Sequence, residues 1–139
     1  MRGIIVTGHG NFASGVGSTV KLVMGEQEKT AFIDFTENMS SSELSSLLEK
    51  TVVEMGAEDG IVILADIMGG TPFNESAMLS SKYENITVFG GMNMAMLFEI
   101  IDSRDEELDT ESVLEESRNG MGTFRIIEND LEESDCDGI

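Results

Sequence analysis

Four short apolar runs occur along the chain, and a stretch with helical periodicity follows each of them. The runs are continuous rather than alternating with polar residues, which is typical of strands covered on both faces of a sheet. They span residues 3–7, 31–35, 60–66 and 85–89, and the third is the most uniformly apolar. Four βα units in succession predict an α/β, doubly wound fold, with a mainly parallel sheet of about four strands and helices on both faces.

Capping signals set the predicted helix boundaries. Ser40 and Glu43 have the spacing of a capping box, and Gly56 is a suitable end for the helix that follows them. Thr71 is predicted to be an N-cap, with Pro72 at the first helical position. The predicted helices span residues 13–24, 40–55, 71–81, 94–102 and 111–119.

A last apolar run, Gly122–Ile127, predicts an antiparallel strand at the edge of the sheet. Residues 1–127 are therefore predicted to form one domain, and residues 128–139 an acidic, flexible tail. The chain has 139 residues, enough to bury a core in a domain of this kind.

Charge narrows the range of partners. The chain has 27 acidic and 8 basic residues and a net charge of −19, which repels nucleic acid and anionic membranes. The only cysteine, Cys136, cannot form a disulfide within one chain, so we expect a reducing, cytoplasmic location. With a single His and a single Cys, no metal site of these ligands and no cofactor are expected.

The single histidine, His9, follows the first predicted strand and lies between Gly8 and Gly10. The glycines allow a sharp turn and leave the imidazole uncrowded, and amides at the start of the next helix favour an anion. His9 is therefore a candidate nucleophile that carries a phosphoryl group. The same residues also fit a dinucleotide-binding fingerprint, Gly8-x-Gly10-x-x-Ala13, with Asp34 as the ribose-binding acid. A P-loop is excluded, because no Gly-Lys-Ser/Thr follows a glycine-rich turn.

A second loop follows the most apolar strand, with the sequence Asp66-Ile-Met-Gly-Gly-Thr-Pro. The carboxyl ends of parallel strands meet at one rim of the sheet, so Asp66 can lie beside His9. A carboxylate there would fix the imidazole tautomer and stabilise the positive charge that develops on the ring. Thr71 and the amides of its helix would steady the phosphoryl oxygens. The dinucleotide interpretation leaves this second loop unexplained.

Together the two loops resemble the enzyme IIA component of the mannose family of the phosphoenolpyruvate-dependent sugar phosphotransferase system. The resemblance covers roughly residues 2–127 and includes Gly25-Glu-Gln-Glu before the second strand and Gly91-x-Asn93 after the fourth. It implies that His9 accepts a phosphoryl group from HPr and passes it to a histidine of enzyme IIB, here on a separate chain. It also implies that Asp66 hydrogen-bonds His9.

The resemblance further implies that the Gly69–Thr71 segment lies against the phosphoryl group. The predicted phosphoryl-binding residues are Gly8, Gly10, Gly69, Gly70 and Thr71. Family members are homodimers that exchange the final strand, here Thr123–Ile127, and they serve the membrane components IIC and IID indirectly. The sequence leaves the sugar open among mannose, fructose, sorbose, an amino sugar and gluconate.

Overall fold

Four parallel strands form one sheet in the computed structural model, which describes residues 1–125. The strands are β1 (Gly3–His9), β2 (Thr30–Phe35), β3 (Ile61–Ala65) and β4 (Ile86–Phe89). Their order across the sheet is β2-β1-β3-β4, and every neighbouring pair is parallel. The predicted α/β fold with a parallel sheet is confirmed.

The helices cover both faces of the sheet. They are α1 (Phe12–Met24), α2 (Ser41–Met55), α3 (Thr71–Lys82), α4 (Met94–Asp102) and α5 (Thr110–Asn119). On one face Ile4, Val6 and Leu64 pack in a core with residues of α1, α4 and α5, and on the other Ile5 and Ile63 pack with residues of α2 and α3. Because successive strand residues face opposite sides, a strand buried on both sides must be apolar at nearly every position.

The strand order places a switch point between β1 and β3. The chain leaves β1 toward β2 on one side, and later returns to pair β3 with β1 on the other. Thr7 of β1 lies opposite Ala65 of β3, near the carboxyl ends of both strands. Ligands in sheets of this class bind at such a switch point. His9 is the last residue of β1 and Asp66 directly follows β3, so both lie at this rim of the sheet.

Most predicted boundaries are correct to within a few residues. Ser40 and Glu43 form the predicted capping box, and α2 ends at Gly56 in the left-handed conformation. Two details were wrong. His9 is the last residue of β1 rather than part of a turn, and Thr71 is the first residue of α3, with Gly70 as its N-cap.

The predicted edge strand at Gly122–Ile127 is not formed in the part of the chain that the structure describes. Residues 122–125 are not in regular secondary structure, and residues 126–127 lie outside the described residues, as does the predicted acidic tail. The strand and its exchange between two copies therefore stay predictions. Within residues 1–125, no helix has both the length and the apolar character needed to cross a membrane.

Candidate active site

His9 and Asp66 lie together at the carboxyl end of the sheet. The Nδ1 atom of His9 is 2.8 Å from Oδ2 of Asp66, and the His9 backbone N–H donates to the same oxygen at 2.9 Å. The other carboxylate oxygen of Asp66 accepts from the backbone N–H of Ile67 at 2.8 Å. The His9 side chain is 43% exposed, whereas that of Asp66 is 9% exposed. A buried carboxylate thus holds an imidazole that solvent and partners can reach.

The pKa of Asp66 decides which ring nitrogen of His9 carries the proton. Burial of the Asp66 carboxyl raises its pKa, but the hydrogen bonds from the backbone and imidazole of His9, and that from Ile67, hold the pKa below its ordinary value. Asp66 is therefore ionised at neutral pH and can only accept. Nδ1 of His9 must be the donor, so the neutral ring has its lone pair on Nε2. Within residues 1–125, Nε2 makes no hydrogen bond.

Gly70 and Phe35 pack against the imidazole. A methyl group on Gly70 would lie 2.9 Å from Cε1 of His9, so only glycine allows the turn to approach this closely. The Phe35 ring meets the imidazole edge-on, with the ring centroids 5.8 Å apart and the planes at 70°. Aromatic pairs favour this arrangement. With Asp66 at Nδ1, these contacts restrict rotation of the ring and leave Nε2 open.

Gly8 gives the carboxylate room to approach. This residue lies within β1, and a methyl group on it would be 2.5 Å from a ring carbon of Phe12 and 3.0 Å from the carboxyl carbon of Asp66. Any side chain here would displace one of the two. The glycine is therefore needed for packing at the base of the site, in addition to the phosphoryl-binding role predicted for it.

The N-terminus of α3 faces the site without a side-chain cap. The backbone N–H groups of Thr71 and Phe73 donate to no group in the described part of the chain, and Pro72 has none. Asn74 is the first residue of α3 whose N–H donates to a backbone carbonyl, that of Gly70 at 2.9 Å. Free amides at a helix N-terminus bind anions, and here they adjoin a glycine in contact with His9.

The N-terminus of α1 is less available to an anion. Oδ1 of Asp34 accepts a hydrogen bond from the Ser14 N–H at 2.9 Å, so a carboxylate already occupies this end of the helix. The Gly10 N–H donates to the Phe35 carbonyl at 2.8 Å, and Gly10 has a φ of +59°, so it shapes the turn. Because Asp34 is engaged with α1, the geometry also weakens its interpretation as a ribose-binding acid.

The structure brings all the predicted site residues to one rim, and it adds two that received no role from the sequence. Phe35 ends β2, and only the pairing of β2 with β1 places it beside His9. Asn74 lies two residues beyond the second loop motif, and its side chain donates to the Gly69 carbonyl. Among residues 1–125, no three His, Cys, Asp or Glu side chains are close enough to hold a metal ion.

A comparison with known families agrees with this geometry. A family model described as the PTS system fructose IIA component matches residues 3–117, most of the chain. The chain belongs to this family. Together with the relatives below, the match confirms the resemblance to IIA components of the mannose family of the phosphotransferase system.

Relatives from several bacteria share the domain. The PTS system sorbose-specific EIIA component of Lacticaseibacillus casei is 35% identical over 99 residues, which cover 70% of each chain. The mannose-specific EIIAB component of Escherichia coli (strain K12) is 29% identical over 104 residues, which cover 75% of this chain and 32% of that protein. The IIA chain therefore spans about a third of the length of this EIIAB relative.

Solved structures show the same fold. The mannose/sorbose specific IIA subunit from Enterococcus faecalis superposes with a TM-score of 0.82 at 25% identity, covering 91% of this chain and 97% of that chain. The phosphotransferase system component EIIA from Streptococcus agalactiae superposes with a TM-score of 0.78 at 34% identity, covering 88% of this chain and 97% of that one. The fold of this IIA component is thus that of its family.

Proposed function

We propose that His9 carries a phosphoryl group between two proteins. It accepts the group from phospho-HPr and transfers it to a histidine of enzyme IIB, during coupled uptake and phosphorylation of a sugar. The observation that carries the proposal is the 2.8 Å hydrogen bond between Nδ1 of His9 and Oδ2 of Asp66. It leaves the lone pair on the exposed edge of the ring, where a nucleophile is needed.

The transfer requires only atoms at this rim. The lone pair of Nε2 attacks phosphorus, a P–N bond forms to His9, and the bond between phosphorus and the donor breaks. The electron pair of the broken bond stays with the donor. Positive charge develops on the His9 ring, and the Asp66 carboxylate stabilises it through the proton on Nδ1. Transfer to enzyme IIB is the same step in reverse, with His9 as the leaving group.

Backbone amides stabilise the phosphoryl oxygens in this proposal. The free N–H groups of Thr71 and Phe73 adjoin Gly70, which contacts His9, and the Thr71 hydroxyl adds a further donor. Such preorganised donors stabilise a transferring phosphoryl group without binding it permanently. Gly69 has a φ of +81°, and this turn brings Gly70 against the ring.

The family resemblance also supports a proposal for the assembly and the location. We propose a cytoplasmic homodimer in which Thr123–Ile127 of each copy extends the sheet of the other, whose edge strands are β2 and β4. Enzyme IIB would pass the phosphoryl group to sugar bound by the membrane components IIC and IID. The relatives are named for mannose, fructose and sorbose, so a sugar of this class is proposed as the final acceptor.

Reconstitution of the phosphorylation cascade tests the proposal. The chain is incubated with phosphoenolpyruvate, enzyme I and HPr, and its mass and acid lability are measured. We expect one acid-labile phosphoryl group per chain, and none on a His9→Ala variant that retains the wild-type circular dichroism spectrum. Leu22→Ala is a matched control, because Leu22 is 87% exposed on α1 and outside the site. Wild-type labelling of His9→Ala would contradict the proposal.

A further inference from the structure

We propose that Asn74 is a positioning residue for phosphoryl transfer, acting through the turn that carries the α3 amides. The role rests on the proposed function of His9. The Nδ2 atom of Asn74 donates to the Gly69 carbonyl at 2.9 Å, and its backbone N–H donates to the Gly70 carbonyl at 2.9 Å. One residue therefore fixes two consecutive carbonyls of the turn. Since the Gly69 carbonyl can only accept, Nδ2 is the atom that must face it.

The turn held by Asn74 is otherwise weakly constrained. Gly69 and Gly70 have no side chains to pack, and Gly69 adopts a φ of +81°, which glycine reaches at no steric cost. The Gly70 N–H donates to the Ile67 carbonyl at 3.2 Å, a longer bond than the two from Asn74. Without the side chain of Asn74, the turn would be free to sample other conformations.

The position of this turn matters because it fixes the approach of the anion-binding amides to His9. Gly70 packs so closely on Cε1 of His9 that a methyl group there would be 2.9 Å from that atom. The free Thr71 N–H follows directly in the chain. A shift of the turn would move these donors away from the phosphoryl oxygens, and a misplacement of about 1 Å in such a site can cost about a hundredfold in rate.

The exposure of the Asn74 side chain indicates that it positions the turn rather than stabilises the fold. The side chain is exposed, so water can satisfy its amide equally well, and burial does not require the bond to Gly69. The bond therefore contributes mainly to the geometry of the turn. We expect its loss to lower the rate of phosphoryl transfer while the fold is retained.

The test measures steady-state phosphoryl transfer from phospho-HPr through wild type, Asn74→Ala and Asn74→Asp to excess enzyme IIB, with urea unfolding of each. We expect kcat to fall about tenfold in both variants and KM for phospho-HPr to change less than about twofold, because docking is retained while donors are displaced. Asn74→Asp keeps the shape of the side chain but removes the donor. The 31P chemical shift of phosphorylated Asn74→Ala is also expected to differ from wild type.

Ser81→Ala is the matched control, since Ser81 is an exposed residue at the far end of α3 that also donates to a backbone carbonyl. Its kcat should equal that of wild type. A wild-type kcat for Asn74→Ala would overturn the proposal, even if Asn74→Asp is slow, because the effect would then arise from charge. A raised KM with unchanged kcat would also overturn it. Failure of wild type to be labelled on His9 would instead overturn the proposed function itself.

Discussion

Oδ2 of Asp66 accepts two hydrogen bonds from His9, one from the imidazole Nδ1 at 2.8 Å and one from the backbone N–H at 2.9 Å. The same oxygen therefore fixes both the end of β1 and the orientation of the ring that extends from it. Because Asp66 directly follows β3, these two hydrogen bonds can form only if β3 lies next to β1 in the sheet. The two hydrogen bonds join the His9 loop and the Asp66 loop into one site.

Loss of the negative charge at Asp66 should slow phosphoryl transfer. Asp66→Asn preserves the shape of the side chain, but it cannot stabilise the positive charge that develops on the His9 ring. We expect the rate of phosphorylation by phospho-HPr to fall on the order of a hundredfold, measured by rapid-quench labelling. Glu107→Gln, which removes one acid from an exposed position, is the charge control. A wild-type rate of phosphorylation for Asp66→Asn would contradict the role of Asp66 in stabilising the charged ring.

The lowered pKa of Asp66 predicts a specific dependence of stability on pH. A carboxyl whose pKa is lower in the folded state than its ordinary value of 3.8 stabilises the fold above that pH. The stabilisation is lost as the pH falls below 3.8 and through the lowered pKa of the folded protein. We expect the difference in unfolding free energy between wild type and Asp66→Asn to shrink in this range, measured by urea unfolding below about pH 5. A difference that grows on acidification would contradict the pKa direction.

Two glycine variants should change stability in opposite directions. Gly8→Ala would place a methyl group 2.5 Å from Phe12 and 3.0 Å from the Asp66 carboxyl carbon, and we expect a loss of about 1–3 kcal/mol. Gly15 lies in α1 with no atom within 4 Å of an added methyl group, so Gly15→Ala should stabilise by about 0.5–1 kcal/mol. Chemical denaturation measures both. Equal effects of the two substitutions would show that Gly8 is not sterically constrained.

Replacement of Thr71 should affect transfer more than stability. An N-cap Thr replaced by Ala costs about 1 kcal/mol, but Thr71 is the first helical residue and its side chain caps nothing. We expect Thr71→Ala to change the unfolding free energy by less than about 0.5 kcal/mol and to lower the transfer rate about tenfold. Thr71→Ser keeps the hydroxyl and should retain the wild-type rate. A slow Thr71→Ser variant would contradict a role for the hydroxyl.

The pattern of apolar runs was sufficient to predict the sheet and most of its helices. The central strands β1 and β3 are buried on both faces, so their sequences are almost continuously apolar, whereas the edge strands β2 and β4 are mostly half-buried. The glycine and serine signals that bound the helices act locally. The predicted N-cap at Thr71 was wrong because the preceding residue, Gly70, already has the extended backbone of an N-cap. A threonine before a proline is compatible with either position, and the path of the turn decides between them.

Local preferences along the chain were enough to predict the strand that presents His9, the loop that contains Asp66, and the glycines that let the backbone turn. The packing of the chain was needed to show that β1 and β3 are neighbours, that Phe35 and Gly70 enclose the imidazole, and that the Asp34 carboxylate lies at the N-terminus of α1. These contacts join residues far apart in the chain. Their geometry depends on strand order and helix packing, which no local pattern specifies.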